Sequence, residues 1–274
     1  MPKDVERSTK LKDDGNRLFQ AGDYVGAESL YSKAIIADES NYSLYTNRAM
    51  ARIRLNLYES AIADCNECIK LSKDNLKGYF VLSQGQLAIH DYDAALQSAL
   101  HAHRLCVETN EKSLAPITNQ VLRCKKERWE DMEKKRTREG RELENEIAEL
   151  MQRERDDMVN SCSNDADRDE VAQEWEQKIA LFKATFEKAR TEDQQKREVP
   201  DWAIDDISFA IMVDPVMTKT GKSYERASIM EHLRRHPTDP LTREVLHPNE
   251  LRPNLQLKEA CQEFLDNNGW AVDW

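Results

Sequence analysis

A period of 34 residues runs through the first part of the chain and constrains its fold more than any other feature. Residues 8 to about 109 repeat at this spacing, with tyrosine, alanine and other small residues at the recurring positions. The spacing is typical of units of two antiparallel helices. One such unit cannot bury its own apolar face, so three must stack and a further helix must cover the third. The recurring positions are Tyr24, Tyr58 and Tyr92; Ala27, Ala61 and Ala95; Ala34, Cys68 and Ala102; and Gly15, Ala49 and Ser83.

This is the period of tetratricopeptide (TPR) repeats, and it predicts a TPR domain of three repeats over residues 8–110. Residues near Pro116 to Trp129 are positioned to form the capping helix. Stacked helix pairs leave a concave groove lined by the first helix of each repeat. Lys12 and Asn16 lie four residues apart on the first of these helices and therefore face the same way. The corresponding helices of the second and third repeats carry Asn47 and Lys77.

Two ammonium groups and two amides in one groove suit a peptide that carries carboxylates, because ammonium donors bind carboxylates through charge-assisted hydrogen bonds. The segments LKDDGNRLF, YTNRA and LKGYF resemble carboxylate-clamp TPR domains, which hold the C-terminal EEVD tails of heat-shock chaperones of the Hsp70 and Hsp90 classes. The resemblance implies that Lys12, Asn16, Asn47 and Lys77 form the clamp and that Phe80 is an apolar wall. The alternative is that these polar residues form only a solvated helix face.

Three positions depart from the family pattern at the far end of the groove. Val81 stands where clamp domains carry arginine or an aromatic residue, and Ser113 and Pro116 replace phenylalanine and aspartate. We therefore expect the far end of the peptide groove to differ from that of the family.

Residues 111–200 are predicted to hold the capping helix, a charged antiparallel helical hairpin and a linker. The first arm, about residues 119–159, is dense in Lys, Arg and Glu with a narrow apolar stripe, and Gly140 interrupts it. A polar turn over Asn160 to Arg168 leads to a second arm that carries Trp175, Phe182 and Phe186. A narrow stripe on so long a helix needs a partner. We expect self-association, with an intramolecular spacer as the alternative, and a charged linker over residues 190–200.

The last part, residues 201–274, has the layout of loop, hairpin, helix, loop and helix. Lys219-Thr220-Gly221 is a turn between two short apolar runs. A helix is predicted from near Glu225, and a second from about Asn254 as its N-cap. Two irregular loops around one helix are the plan of a RING finger, which needs eight Cys or His ligands for two zinc ions. The segment contains one cysteine and three histidines, so polar contacts and packing must hold the loops instead.

The segments ISFAIMVDPVMTKTGKSYERASIMEHL, DPLTREVL and LRPNLQLKEA resemble a U-box, the zinc-free RING-like domain of E3 ubiquitin ligases. Such a ligase forms no covalent intermediate but orients a ubiquitin-conjugating enzyme (E2) and its ubiquitin thioester. The resemblance implies E2 docking by Ile207, Phe209 and Pro240, and a linchpin arginine at Arg243 that bridges E2 and ubiquitin. Val245 replaces a second loop proline of the family. Core packing is the alternative for Ile207 and Phe209.

His232 corresponds to a functionally sensitive family position, and we expect it to support the loops rather than to contact a partner. Six residues are candidates for the polar contacts that replace zinc, although the sequence does not pair them. They are Asp205, Asp206, Asp214, Glu225, Asp239 and Arg243.

The cysteines fit core positions. Cys65 and Cys68 form a C-x-x-C pair that falls on packing positions of the second repeat, which favours the core over a metal or redox site. Cys261 falls on the inner face of the last helix, with no base beside it in the sequence. No metal or organic cofactor is implied. The absence of disulfide-framework spacing predicts a reducing compartment, namely the cytosol with the nucleus as a second location.

Charge and hydropathy exclude other function classes. The net charge of −11 disfavours sequence-independent nucleic-acid binding, no apolar run is long enough for a membrane span, and the N-terminus has no apolar signal-peptide core. Together with the resemblance to clamp TPR domains and to U-box ligases, the sequence predicts a mostly α-helical, chaperone-docked E3 ligase with a small α+β U-box. Its partners would be chaperone tails, E2 enzymes and misfolded clients. The resemblance also implies a parallel homodimer through the helical hairpin. The rival hypothesis is a non-enzymatic TPR co-chaperone adaptor whose U-box is inactive.

Overall fold

The computed structural model describes residues 4–193 and 198–274, which divide into two units. One unit comprises the chain up to Trp129 together with Asp201–Trp274, and the other comprises Glu130–Pro200. No described helix is both long enough and apolar enough to span a bilayer. The helices are α1 (Val5–Gln20), α2 (Tyr24–Ala37), α3 (Tyr42–Arg54), α4 (Tyr58–Leu71), α5 (Leu76–Ala88), α6 (Tyr92–Thr109), α7 (Leu114–Ser161), α8 (Asp165–Asp193), α9 (Arg226–Arg235) and α10 (Leu255–Asn267).

The 34-residue period appears in the turns of α1 to α6 as well as in their cores. Each turn within a repeat places one residue in the left-handed region, at Gly22, Asn56 and His90, with φ of 85°, 60° and 64°. Asparagine N-caps begin α3 and α5, where Asn41 and Asn75 accept a backbone N–H in the first turn. Such a cap satisfies a donor that the helix itself leaves unpaired. The three predicted TPR repeats are confirmed.

The small residues of the repeat allow the helices to cross closely. A Cβ atom on Gly15 would lie 2.7 Å from Cε1 of Tyr31, so the Tyr31 ring occupies the space that a side chain would need. The equivalent positions of the next repeats, Ala49 and Ser83, are fully buried. Cys65 and Cys68 are also fully buried, as their packing positions predicted.

The cap of the third repeat and the first arm of the hairpin are one helix, not two segments. α7 runs for 48 residues from Leu114 to Ser161 and continues through Gly140. Its first turns bury Ile117 against Ala102 and Cys106 of α6, and Val121 against the third repeat. The predicted cap is therefore present, but it is continuous with the charged helix because no helix-breaking residue separates them.

The second unit contains the rest of α7 and helix α8. Trp175 Nε1 of α8 lies 3.3 Å from Sδ of Met158 on α7, and Ile179 is buried. The predicted turn over residues 160–168 is too long, because α8 already begins at Asp165. The predicted linker is too long as well, since α8 continues to Asp193. The remaining linker residues 194–197 lie outside the described residues.

A three-stranded antiparallel sheet and two helices form the C-terminal domain. Strand β1 (Pro215–Met217) lies between β2 (Ser223–Glu225) and β3 (Arg252–Pro253). The predicted hairpin and both predicted helices are confirmed, including the N-cap Asn254. The first of these helices begins directly after Glu225, which is its N-cap. The sequence interpretation missed β3, which is only two residues long and contains a proline.

The C-terminal domain packs against the start of α7 within the first unit. Lys125 is buried and pairs with Asp266 at 2.6 Å, while Trp129 Nε1 donates to the Asn267 carbonyl at 3.1 Å. Gly269 is needed there, since a Cβ atom would lie 2.4 Å from Cβ of Trp129. Val213 of the C-terminal domain also packs on the core of the third repeat.

Candidate functional sites

The clamp residues from three helices meet in one chain of hydrogen bonds. Lys77 Nζ on α5 donates to Asn47 Oδ1 on α3 at 2.9 Å, and Asn47 Nδ2 donates to Asn16 Oδ1 on α1 at 3.2 Å. The hydroxyl of Tyr31 donates to the same Asn16 oxygen at 2.9 Å. Residues separated by about 30 positions in the sequence are therefore held together before any peptide binds.

The two cationic groups of this site differ in their surroundings. Lys77 is exposed as a residue, yet partial burial of its ammonium lowers the pKa of that group, with a smaller opposing effect from Cys68. Lys12 lies one helical turn before Asn16 on α1, half-buried, and within the described chain its ammonium has no hydrogen-bond or ion-pair partner. One cation is thus already ordered by Asn47, and the other remains available for a carboxylate.

The groove widens beyond Lys77 into a cavity of about 790 Å³. Phe80, the predicted apolar wall, lines it together with Lys77. Val81 is nearly buried and packs with Ala49 and Cys65, so it contributes a flat apolar surface and no polar group. Ser113, directly before α7, and Pro116, in its first turn, also line the cavity. All three departures from the family pattern therefore face the same cavity.

The second predicted site comprises two loops of the C-terminal domain. The first loop exposes 72% of Phe209, whereas Ile207 is half-buried against the core that contains Leu233 and Leu246. The second loop carries half-buried Pro240 and exposed Arg243. The alternative for Ile207 and Phe209 is core packing. It holds for part of the Ile207 side chain and does not hold for Phe209.

Buried carboxylates hold both loops. Asp205 is fully buried, and its Oδ2 accepts from the Ser208 N–H at 2.8 Å and from the Ser208 hydroxyl at 2.7 Å. Its Oδ1 accepts from the Glu225 N–H at 2.9 Å. In the second loop, Oδ1 of Asp239 accepts from the N–H groups of Leu241 and Thr242 at 2.8 and 3.2 Å. Burial works to raise the pKa of Asp239, but these N–H donors outweigh it and lower the pKa.

A third carboxylate cluster joins the first loop to the helices. Asp214 accepts from Arg226 at 2.6 Å and from Lys258 at 2.8 Å, and these two donors overcome burial to lower its pKa. Glu225 accepts from the N–H groups of Val213 and Asp214 at 2.7 and 2.8 Å. Burial raises the pKa of Glu225 to about 7, although these N–H donors favour the ionised form. Hydrogen bonds and ion pairs thus hold the loops of this domain.

His232 connects the central helix to the second loop. Its Nε2 lies 3.0 Å from the Thr238 carbonyl oxygen, one residue before Asp239. His232 and Ile207 also line a cavity of about 500 Å³ whose other wall is the start of α7, with Ala115 and Leu122. Part of the predicted docking surface therefore faces α7 in this arrangement.

The cysteine thiols are not poised for chemistry. Burial raises the pKa of Cys261 to about 11 and the pKa of Cys68 to about 11, and it raises the pKa of Cys65 as well. A thiol must lose its proton to act as a nucleophile or a metal ligand. Among residues 4–193 and 198–274, no three His, Cys, Asp or Glu side chains are grouped closely enough to hold a metal ion.

Comparison with known protein families settles the nature of the C-terminal domain. Residues 199–270 match the U-box domain family. The C-terminal domain is a U-box. The E3 ubiquitin-protein ligase CHIP of Arabidopsis thaliana is 29% identical over 266 residues, which cover 96% of this chain and 94% of that protein. This chain is thus a homologue of CHIP along nearly its whole length.

The TPR region has relatives of its own. The Hsp70/Hsp90 co-chaperone CNS1 of Saccharomyces cerevisiae is 30% identical over 144 residues, or 51% of this chain and 37% of that protein. A solved complex of the yeast Sti1 TPR2AB domain with an HSP90 peptide is 25% identical over 44% of this chain and 48% of that one, with a TM-score of 0.43. The similarity to CHIP covers nearly the whole chain, whereas the similarity to CNS1 covers about half of it.

Sequence reasoning missed three features of these sites. The first is the Tyr31 hydroxyl, which donates to Asn16 while the ring packs on Gly15. The second loop exposes Leu241 beside Pro240 as a further apolar side chain. Phe209 and Arg243 have left-handed backbones, with φ of 57° and 63°. Left-handed backbone costs a residue with a Cβ roughly 1–2 kcal/mol, and nothing in the residue types at these positions indicates it.

Proposed function

We propose that this chain is a chaperone-docked E3 ubiquitin ligase, in which the TPR groove holds the C-terminal EEVD tail of a heat-shock chaperone and the U-box orients an E2–ubiquitin thioester. The observation that carries the proposal is the presence, in one CHIP-like chain, of the hydrogen-bonded Lys77–Asn47–Asn16 clamp and of a U-box with Phe209 exposed. The ligase would direct ubiquitin onto lysines of the chaperone or its misfolded client.

The clamp would bind its ligand by direct charge complementarity. Carboxylates of the tail would accept hydrogen bonds from Lys12, Lys77 and the two asparagine side chains. These charge-assisted hydrogen bonds are stronger than the hydrogen bonds to asparagine oxygens that they would replace. Phe80 and the wider cavity would take the residues that precede the tail. The solved TPR complexes with HSP90 and HSP70 peptides are consistent with this ligand class.

The U-box would act by orientation rather than by covalent chemistry. Ile207, Phe209 and Pro240 would dock the E2, and the exposed Arg243 guanidinium would bridge E2 and ubiquitin, so that the thioester is held in a reactive pose. His232 would support the second loop through Thr238. An E2 that docks at Ile207 must also be accommodated beside the start of α7.

The long charged hairpin would form a homodimer in the cytosol. Support comes from apolar side chains that remain exposed on α7 and α8, with Leu143 51%, Leu150 60% and Leu181 70% exposed. The six free cysteines are consistent with a reducing compartment. Sedimentation at micromolar concentration should show a species twice the 31.8 kDa chain mass, and a single species of 31.8 kDa would remove the dimer.

The deciding experiment is a reconstituted ubiquitination assay with activating enzyme, a panel of E2 enzymes, ubiquitin and the full chain. We expect chain formation that is lost on Ile207→Ala and unaffected by Lys77→Ala. Ubiquitination of a chaperone with an intact EEVD tail should require Lys77 as well. Folded protein that is inactive with every E2 would instead leave the non-enzymatic adaptor as the function.

A further inference from the structure

The two docking loops of the U-box repeat one backbone arrangement. Asp205 and Asp239 each begin a loop, and the residue four positions later, Phe209 or Arg243, is left-handed. The N–H of that residue donates to the carbonyl of the aspartate, at 2.8 Å for Phe209 and 2.9 Å for Arg243. The N–H of each aspartate donates in turn to the carbonyl of the residue five positions later, at 2.9 and 2.8 Å. The residues that the proposed function uses most therefore sit at equivalent points of the two loops.

The side chain of each aspartate closes its loop from within. Asp239 is buried, and a single oxygen, Oδ1, accepts the N–H groups of Leu241 and Thr242, directly before Arg243. In the first loop the Asp205 carboxylate accepts the Ser208 N–H, directly before Phe209. A left-handed residue with a Cβ persists only where its surroundings over-determine the backbone. These side-chain hydrogen bonds supply that determination.

The side chain of Arg243 receives no such help. The guanidinium is exposed, and the described parts of the chain offer it no hydrogen-bond or ion-pair partner. The backbone at Arg243 therefore fixes only the point and the direction from which this side chain leaves the loop. The backbone in turn is fixed by Asp239 and by the neighbouring Thr238–Val245 bridge.

We propose that Asp239 is a positioning residue for Arg243. This inference rests on the linchpin role proposed above for that arginine. The requirement is for an acceptor oxygen at the Oδ1 position, because both loop N–H groups bind that atom. The second oxygen, Oδ2, lies 3.4 Å from the Thr220 hydroxyl, to which an asparagine NH2 group could donate instead. Asparagine at position 239 should therefore serve as well as aspartate, whereas alanine should not.

The test uses the full chain and separates E2 docking from ubiquitin transfer. Docking is measured as the Kd for unconjugated E2 by NMR titration. Transfer is measured as the rate of discharge of a preformed E2–ubiquitin thioester onto free lysine at saturating ligase. We expect Asp239→Ala to slow discharge by about tenfold to hundredfold, the range for a misplaced orienting group, while the Kd changes by less than about threefold. Asp239→Asn should retain both values, and Glu244→Ala, an exposed neighbour, is the control.

Arg243→Ala provides the reference for the proposed linchpin. If Arg243→Ala leaves discharge unchanged, the linchpin and the positioning role both fail. If Arg243→Ala slows discharge and a folded Asp239→Ala does not, only the positioning role fails. An equal loss of E2 affinity and discharge in Asp239→Ala would mean a collapsed loop and would also overturn the inference.

Two milder variants keep the test decisive if Asp239→Ala does not fold. A serine hydroxyl can accept the same backbone N–H groups more weakly, so Asp239→Ser should give a discharge rate between those of the wild type and Arg243→Ala. Folded Asp239→Asn with wild-type E2 affinity but the slow discharge of Arg243→Ala would show that the charge acts, and would contradict the inference.

Discussion

The clamp and the docking loops hold their functional side chains in different ways. In the clamp, Asn16, Asn47 and Lys77 project from regular helices and are joined by hydrogen bonds between them, with Tyr31 donating to Asn16. In the U-box, Phe209 and Arg243 lie on irregular backbone that buried carboxylates hold by its N–H groups. Loss of one clamp residue should therefore leave the helices that carry the clamp folded. The backbone of the docking loops depends instead on a few buried groups that do not themselves contact a partner.

The largest effect should come from removing one of those buried groups. Asp205→Ala removes the acceptor of three hydrogen bonds in a fully buried position. Each hydrogen bond to a charged acceptor contributes roughly 1.5–3 kcal/mol, so the U-box should lose at least about 3 kcal/mol of unfolding free energy. Hydrogen exchange at the β1 and β2 amides of the full chain measures the loss.

The matched control is the neighbouring Asp206, which pairs with Lys222 at the surface. Asp206→Ala should change the same exchange free energies by less than about 0.5 kcal/mol, since exposed ion pairs contribute little. Equal effects of the two substitutions would mean that burial of the carboxylate does not decide the stability of the loop.

The clamp should respond more mildly and in binding rather than in folding. Lys77→Ala should weaken an EEVD-ended peptide by about 1–3 kcal/mol, the range for a charge-assisted bond, and leave the TPR domain folded. Isothermal calorimetry with Lys73→Ala, an exposed lysine before α5, is the comparison. Unchanged affinity in Lys77→Ala would remove this residue from the clamp.

The left-handed backbone of Phe209 can be tested with a matched pair of truncations. Phe209→Ala and Phe209→Gly should both lose E2 docking, because both remove the exposed ring. The glycine variant should nevertheless be about 0.5–1 kcal/mol more stable, since left-handed strain of roughly 1–2 kcal/mol exceeds the extra entropy that glycine loses on folding, about 0.4–1 kcal/mol. Chemical denaturation monitored by hydrogen exchange measures the unfolding free energy of both variants. If the position is unstrained, the alanine variant should be the more stable one.

The smallest effect tests how far the clamp depends on the Tyr31 hydroxyl, which lies behind Asn16 and would not contact the peptide. Tyr31→Phe removes the hydroxyl that donates to Asn16, at 2.9 Å, without changing the packing of the ring. Peptide affinity should fall by about 0.5–1 kcal/mol, the net value of a neutral hydrogen bond. Tyr45→Phe is the calorimetric control, because the Tyr45 hydroxyl binds the Glu39 carbonyl outside this network. Equal affinities for the two variants would show that Asn16 is ordered without Tyr31.

The same contrast explains how much could be predicted from the sequence. Helical periodicity fixes which residues face the groove, so Asn16, Asn47 and Lys77 could be brought together from spacing and family resemblance alone. The acidic residues of the U-box were recognisable as a group, but their pairing depends on loop backbone that has no period. The bonds from Asp205 to Ser208 and from Asp239 to Leu241 therefore appear only in the structure.

Segment boundaries failed for a related reason. The continuity of α7 from the TPR cap into the charged arm was hidden by the change in composition near Trp129, although backbone propensity does not change there. Strand β3 was missed because two residues, one of them proline, carry no alternation pattern. The predicted role of each docking residue remains a prediction.

Tyr31 serves both the packing of the first repeat and the binding site, so the two cannot evolve independently at this position. Its ring fills the space left by Gly15, while its hydroxyl orders an amide of the clamp. A single mutation of this tyrosine that repacks the first repeat would also change the proposed affinity for chaperone tails. Affinity at this end of the groove therefore cannot drift independently of the helix crossing beneath it, and selection on either property preserves the other.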